Sequence, residues 1–288
     1  AHSFPTRRSS DLHGSQRSVS SIIGKNATPR RKTRLLCLPT TAGSGSEVSP
    51  NAILVDESTG KKEAAVSPDL LPDATFVDPE LTVSLPPSIT AATGMDALCH
   101  CIEAYTNRHA HPMVDLIALE GVRLIGTHLE EAVRNGHNRD ARAAVSRGSL
   151  YGGLCLGPVN TAAVHALSYP LGTRFHLPHG LANAVLLPPV FRYNLEAAPE
   201  KSADIARALG IRVSEDLQAM AEAGAERLFS LARACGLKLN LAEHGVTESD
   251  IERLAGEAMQ VQRLLVNNPR ELSEDDARTL YLQALKTS

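Results

Sequence analysis

The chain has 288 residues, enough for about two domains and a sizeable buried core, and its 43% apolar content argues against bulk disorder. A net charge of −3 gives no electrostatic reason to expect nucleic acid or an anionic membrane as partner, which favours a small-molecule substrate. No run approaches the roughly 20 apolar residues that span a bilayer, and no apolar signal core follows the first residues, so a cytoplasmic location is the expectation. The cysteines (Cys37, Cys99, Cys101, Cys155, Cys235) are odd in number, scattered and without a Cys-x-x-Cys pair, which reads as reduced thiols rather than disulfides or a thiolate zinc site.

Residues 1–12, including Ser3-Phe4-Pro5-Thr6-Arg7-Arg8, show no apolar period and resemble the translation of a DNA adapter used for sequencing libraries. They are excluded from fold reasoning, and a native N-terminus is expected to be missing. The other reading is a basic, solvated tail reaching Arg34 through Arg30, Arg31 and Lys32.

Short strands are expected at Leu35–Leu38, Ala52–Val55, Ala64–Val66 and Ala74–Val77, the middle two forming a hairpin around Ser58-Thr59-Gly60. Asp78-Pro79 ends this region. After Pro86-Pro87 the pattern turns helical, beginning with Ser88–Tyr105, and a domain boundary is placed there. Further helices are predicted at Met113–Gly126, Arg139–Leu154, Thr161–Leu167, Leu181–Leu187, Glu200–Leu209 and Val213–Ala234, the last closed by Gly236. Thr247 and Ser273, each followed three positions later by Asp250 and Asp276, resemble helix starts with Asp in place of the usual Glu.

Asp96 and His100 stand four positions apart in the first long helix, so both side chains leave one face a turn apart and can share a metal ion. Small apolar neighbours, Ala92 and Ala97, imply burial, and a buried charge needs a partner or a metal. His165 sits in a second helical run, and His179 follows Pro178 at the start of a third. Each histidine alone reads as an ordinary core residue; together with Asp96 and His100 they suggest a ligand set. A mixed set using Cys99 or Cys101 is the competing arrangement, although helix neighbours of His100 point about 100° away from it.

Pro39-Thr40-Thr41-Ala42-Gly43-Ser44-Gly45-Ser46-Glu47-Val48, Gly94-Met95-Asp96-Ala97-Leu98-Cys99-His100, and His165 with Pro178-His179-Gly180 resemble the iron-containing alcohol dehydrogenases, from about Lys32 to the C-terminus. The resemblance implies a dehydroquinate synthase-like architecture: the remnant of an N-terminal α/β dinucleotide-binding domain, over 13–86, then a helical metal and substrate domain, over 87–288. It also implies Fe²⁺, or Zn²⁺, on Asp96, His100, His165 and His179. NAD or NADP contacts are assigned by the same resemblance to Thr40, Thr41, Ser44, Asn51 and Lys62. One carboxylate and three imidazoles suit a borderline divalent ion more than calcium or magnesium. The implied reaction is hydride transfer between an alcohol or hydroxy acid and NAD(P), the metal polarising the alcohol or carbonyl oxygen. A homo-oligomer is the expectation.

Two positions depart from the family pattern. A Gly-Gly-Gly-Ser pyrophosphate turn and the first strands of the nucleotide domain are not in this sequence. Tyr169 stands where many members have a histidine near the nicotinamide, and reads either as a proton donor or as a core aromatic. The alternatives are maleylacetate reductase or hydroxyacid-oxoacid transhydrogenase activity, or a metal-binding but inactive truncated remnant.

Overall fold

The computed structural model describes residues 19–25, 28, 30–55, 62–212 and 216–287. Among these residues five strands come first: β1 (Gly24–Lys25), β2 (Leu36–Cys37), β3 (Asn51–Val55), β4 (Lys62–Val66) and β5 (Ala74–Thr75). Strands β3 and β4 pair antiparallel from Asn51↔Val66 to Val55↔Lys62, giving the expected hairpin, and β1 adds parallel to β4. The adapter-like residues 1–12 and the hairpin turn Ser58-Thr59-Gly60 lie outside the described residues.

Strand β2 pairs parallel with β5, a pairing the local pattern does not reveal because the two are separated by the whole hairpin. Both strands are shorter than expected, and Leu36, Leu38 and Phe76 beside them are more than half exposed. Such apolar strands are what a parallel sheet covered on both faces requires.

From Pro87 onward the chain is helical: α1 (Pro87–Thr106), α2 (Pro112–Arg134), α3 (Arg139–Leu156), α4 (Ala163–Arg174), α5 (His179–Asn194), α6 (Pro199–Ala208), α7 (Leu217–Ala234), α8 (Ile251–Ala258), α9 (Gln262–Leu265) and α10 (Glu274–Leu285). Helix α1 is buried nearly all round, with α2, α3 and α5 packed against it, so it forms the axis of the domain. Helix α4 packs on α5 and α8. Among the described residues no helix is long and apolar enough to cross a membrane.

Three helices overrun the sequence reading by several residues: α2 runs past Gly126 to Arg134, and the other two pass through prolines. Helix α4 continues through Pro170 to Arg174, and α5 continues through Pro188 and Pro189 to Asn194. A proline inside a helix forfeits one backbone bond and crowds the preceding turn. Here Ala166, Leu167, Leu171, Leu186, Leu187, Val190 and Phe191 are buried on both sides of the breaks, and that packing holds the helices together. Position 213 lies outside the described residues, and α7 opens at Leu217 with Asp216 as its N-cap. Both Asp-containing helix starts are present as capping boxes, Thr247 with Asp250 and Ser273 with Asp276.

Candidate metal centre

Three helices bring the four candidate ligands to one point. Asp96 and His100 come from the middle of α1, His165 from the first turn of α4, and His179 opens α5. The Nε2 atoms of His165, His179 and His100 lie 3.6, 3.7 and 3.9 Å from a single Asp96 oxygen. Ligand atoms arranged tetrahedrally on bonds of about 2.0–2.1 Å stand about 3.3–3.4 Å apart, so a small inward movement suffices for coordination. The rings of His100 and His165 stack at 4.8 Å, which sets their Nε2 edges side by side.

The Nδ1 sides of two rings are tied down. His100 Nδ1–H donates to the Gly43 carbonyl at 3.2 Å, and His165 Nδ1–H donates to Glu103 Oε2 at 2.5 Å. Each bond leaves Nε2 facing Asp96, as a ligating imidazole requires. Within the cluster, Asn183 Nδ2 lies 2.7 Å from Asp96 Oδ1, 3.1 Å from His165 Nε2 and 3.3 Å from His179 Nε2. An amide nitrogen carries two protons and cannot serve three acceptors. Asp96 Oδ1, His179 Nε2 and, once its proton is shed, His165 Nε2 turn lone pairs to one point, a convergence that fits a divalent cation.

Electrostatics agree with this reading. Burial opposes ionisation of Asp96, but His100, His179 and His165 outweigh it and hold the carboxyl well below the usual range. Burial lowers His100, against the pull of Asp96. His179 is pushed down to about 3, by burial first, with further contributions from the positive charge of His165 and Lys62. For His165, burial is overcome by Glu103 and Asp96, which raise it to about 9. Before an ion binds, His165 is therefore protonated below about pH 9 and must shed its Nε2 proton to ligate. Ion uptake is expected to release a proton near pH 7, with affinity rising as pH rises and the release fading above about pH 9. Proton release measured in weakly buffered solution during metal titration checks the sign.

The thiols stand apart from the Asp96 oxygen. Cys99 Sγ faces His165 Nδ1 at 3.8 Å, on the ring edge held by Glu103, and Cys101 Sγ turns to the Gly148 carbonyl of α3. Both thiols are buried, and that burial pushes them well above the ordinary cysteine range. The mixed ligand set is thus not assembled around Asp96.

The nucleotide candidates divide into three places. Thr40, Thr41 and Ser44 share the loop between β2 and the short 3-10 turn at Ser46–Val48, with Thr40 exposed and the other two half-buried. Gly45 in this loop has φ +57°, and a Cβ there would meet the Gly153 Cα at 2.3 Å, so the loop lies directly on α3. Lys62 is elsewhere: its ammonium sits 5.1 Å from the Tyr169 ring centre, beside the metal cluster. Burial lowers Lys62, partly offset by Asp96, and among the described residues it has no carboxylate ion pair. Asn51 lies at the opposite end of the hairpin from Lys62, with a buried side-chain oxygen that has no hydrogen-bond partner among the described residues.

Tyr169 is 6.2 Å, ring to ring, from His179, and its hydroxyl oxygen accepts a bond from Arg263 Nη2 at 2.9 Å. His179 is also the most open candidate ligand, with its side chain 37% exposed against 4–6% for Asp96, His100 and His165. The cluster therefore opens on the side that Tyr169 and His179 share. Glu103, Asn183 and Arg263 escape a reading of isolated motifs. Glu103 and Asn183 were nevertheless signalled, since 96, 100 and 103 form one polar stripe in an apolar helix and 183 stands one turn after 179. Arg263 carries no such signal.

Asp96, His100 and His165 form a buried carboxylate–imidazole cluster that could hold a metal ion. The pattern of the Fe-containing alcohol dehydrogenase family, C-terminal, matches residues 90–285, and that of iron-containing alcohol dehydrogenase matches residues 10–79. The chain belongs to this family. It is 39% identical over 281 residues to long-chain-alcohol dehydrogenase 1 of Geobacillus thermodenitrificans (strain NG80-2), covering 93% of this chain and 68% of that protein. With 1,3-propanediol dehydrogenase of Klebsiella pneumoniae it shares 43% identity over 180 residues, 62% of this chain and 46% of the relative. A crystal structure of 1,3-propanediol oxidoreductase superposes with a TM-score of 0.92 at 35% identity, covering 96% of this chain and 73% of that one. Sulfoacetaldehyde reductase from Bifidobacterium kashiwanohense in complex with NAD+ matches with a TM-score of 0.87 at 32% identity, covering 98% and 73%.

Proposed function

We propose that the protein is an oxidoreductase moving a hydride between a small alcohol or hydroxy acid and NAD or NADP. It would use one divalent ion, Fe²⁺ or alternatively Zn²⁺, on Asp96, His100, His165 and His179. The observation that carries this is the meeting of three imidazole Nε2 atoms within 3.9 Å of one buried carboxylate oxygen. An ion held there supplies Lewis acidity to an alcohol or carbonyl oxygen.

The chain's own residues do the rest. Asp96, His100 and His165 close three sides of the centre, so substrate enters past His179 and Tyr169. Arg263 donates to the Tyr169 oxygen, which leaves the phenol proton to be directed into the cleft toward a substrate oxygen. Lys62, a half-buried cation over the same ring, suits the phosphate or hydroxyls of a cofactor there. Thr40, Thr41 and Ser44 offer hydroxyls on a loop whose Gly43 carbonyl holds His100, so one loop bears on both nucleotide and metal. The small net charge accords with uncharged or weakly charged small substrates, in a homo-oligomer of the cytoplasm.

Protein loaded with Fe²⁺ or Zn²⁺ is expected to consume NADH or NADPH with a panel of short aldehydes, followed by nicotinamide absorbance. Metal-loaded protein that neither binds nor oxidises reduced nicotinamide would contradict dehydrogenase activity and leave the inactive remnant. Tyr169→Phe keeps the ring and removes the proton; kcat is expected to fall about 100-fold with metal content unchanged. An unchanged kcat would reduce Tyr169 to packing.

A further inference from the structure

We infer that Glu103 is the positioning residue of the metal centre: a buried carboxylate that fixes the His165 ring so that only Nε2 is presented to the ion. The inference rests on the metal reading above. Glu103 lies one helical turn beyond His100 on α1 and is 4% exposed. Its two oxygens are used differently: Oε2 accepts from His165 Nδ1–H at 2.5 Å, and Oε1 accepts from the Val164 backbone N–H at 2.7 Å. Val164 belongs to the first turn of α4, where backbone donors have no partner within the helix and Ala162 offers no side-chain cap. One carboxylate therefore anchors the start of α4 and the ring that projects from it.

Cys99 also approaches this edge, and the donor atoms of Cys99, Glu103 and His165 lie within 4.8 Å of one another. The Glu103–His165 contact has the length of a hydrogen bond and not of two ligands on one ion. Two ligands on bonds of about 2.0–2.2 Å stand about 3 Å apart or more, beyond the 2.5 Å observed, which is a hydrogen bond. A carboxylate is also the one side chain that fits both neighbours, because Val164 N–H and His165 Nδ1–H are donors and a carboxylate accepts at both oxygens.

That chemistry separates positioning from mere support. In Glu103→Gln the amide oxygen can serve Val164, but its NH₂ then faces Nδ1 as a donor and drives the His165 proton onto Nε2, the edge the metal needs. Glu103→Ala leaves the ring free and α4 uncapped. Positioning predicts that Gln weakens Zn²⁺ binding, by chelator competition, about 10–100-fold and at least as much as Ala, although Gln melts higher than Ala. Support alone predicts that affinity follows melting temperature, with Gln close to the parent. A second readout needs no metal: proton spectra of ¹⁵N-histidine protein should show a strongly low-field His165 Nδ1–H resonance that Glu103→Ala abolishes. Failure of the parent to bind Zn²⁺ would sink the metal reading and, with it, the inference. Zn²⁺ affinity unchanged in Gln, or a low-field resonance that survives in Ala, would overturn the role of Glu103 alone.

Discussion

Asp96→Ala is expected to cost more than about 100-fold in divalent-ion affinity, beyond what loss of a group that only supports a ligand does. Its Oδ1 is the atom on which all three imidazoles and the Asn183 amide converge. Without it the remaining candidate ligands are three imidazoles, with no carboxylate among them. The fold should survive, because Asp96 and Glu103 together raise His165 and the ring can shed its proton when one of them is lost. The stability cost is then about 1–3 kcal/mol, that of leaving a buried amide donor unpaired. Asp96→Asn keeps the shape and an oxygen, so it should fold like the parent and still bind poorly. Metal content by elemental analysis, beside a thermal melt, separates these outcomes; retained metal in Asp96→Ala would remove Asp96 from the ligand set.

Gly180→Ala is expected to damage both the fold and the centre. A Cβ at Gly180 would stand 2.1 Å from the Ala92 carbonyl oxygen and 2.7 Å from its carbon, with Asp96 Cβ at 3.4 Å. The obstacle is the backbone of α1, which cannot turn aside as a long side chain would, so α5 must move off α1. Overpacking of this kind costs about 1–3 kcal/mol. The shift falls where His179, the preceding residue, meets Asp96 at 3.7 Å. Metal affinity should therefore fall more than about tenfold, as for other disturbances beside a ligand. A melt and a chelator competition on one preparation test both halves; normal affinity would mean that the α1–α5 approach does not set the centre.

Much of this is legible in the sequence. The Asp96–His100 spacing gives a shared helix face, and the hairpin follows from two apolar runs around a turn. Other features depend on distant contacts. The β2–β5 pairing joins segments more than thirty residues apart. Pro170, Pro188 and Pro189 read locally as helix ends, yet the buried neighbours on either side carry α4 and α5 through them. The cofactor group implied by resemblance is dispersed, with Asn51 and Lys62 at opposite ends of one ladder. Arg263 reaches Tyr169 across 94 positions, a distance over which no periodicity speaks.

The central claim is that one divalent ion sits among three helices on Asp96, His100, His165 and His179. Crystals of the Zn²⁺- or Fe²⁺-loaded protein, measured on either side of the metal absorption edge, test it directly. The account predicts one anomalous peak per chain, about 2.0–2.2 Å from Asp96 oxygen and from the Nε2 atoms of all three histidines. A peak on Cys99 and Glu103, or none among these side chains, would contradict it.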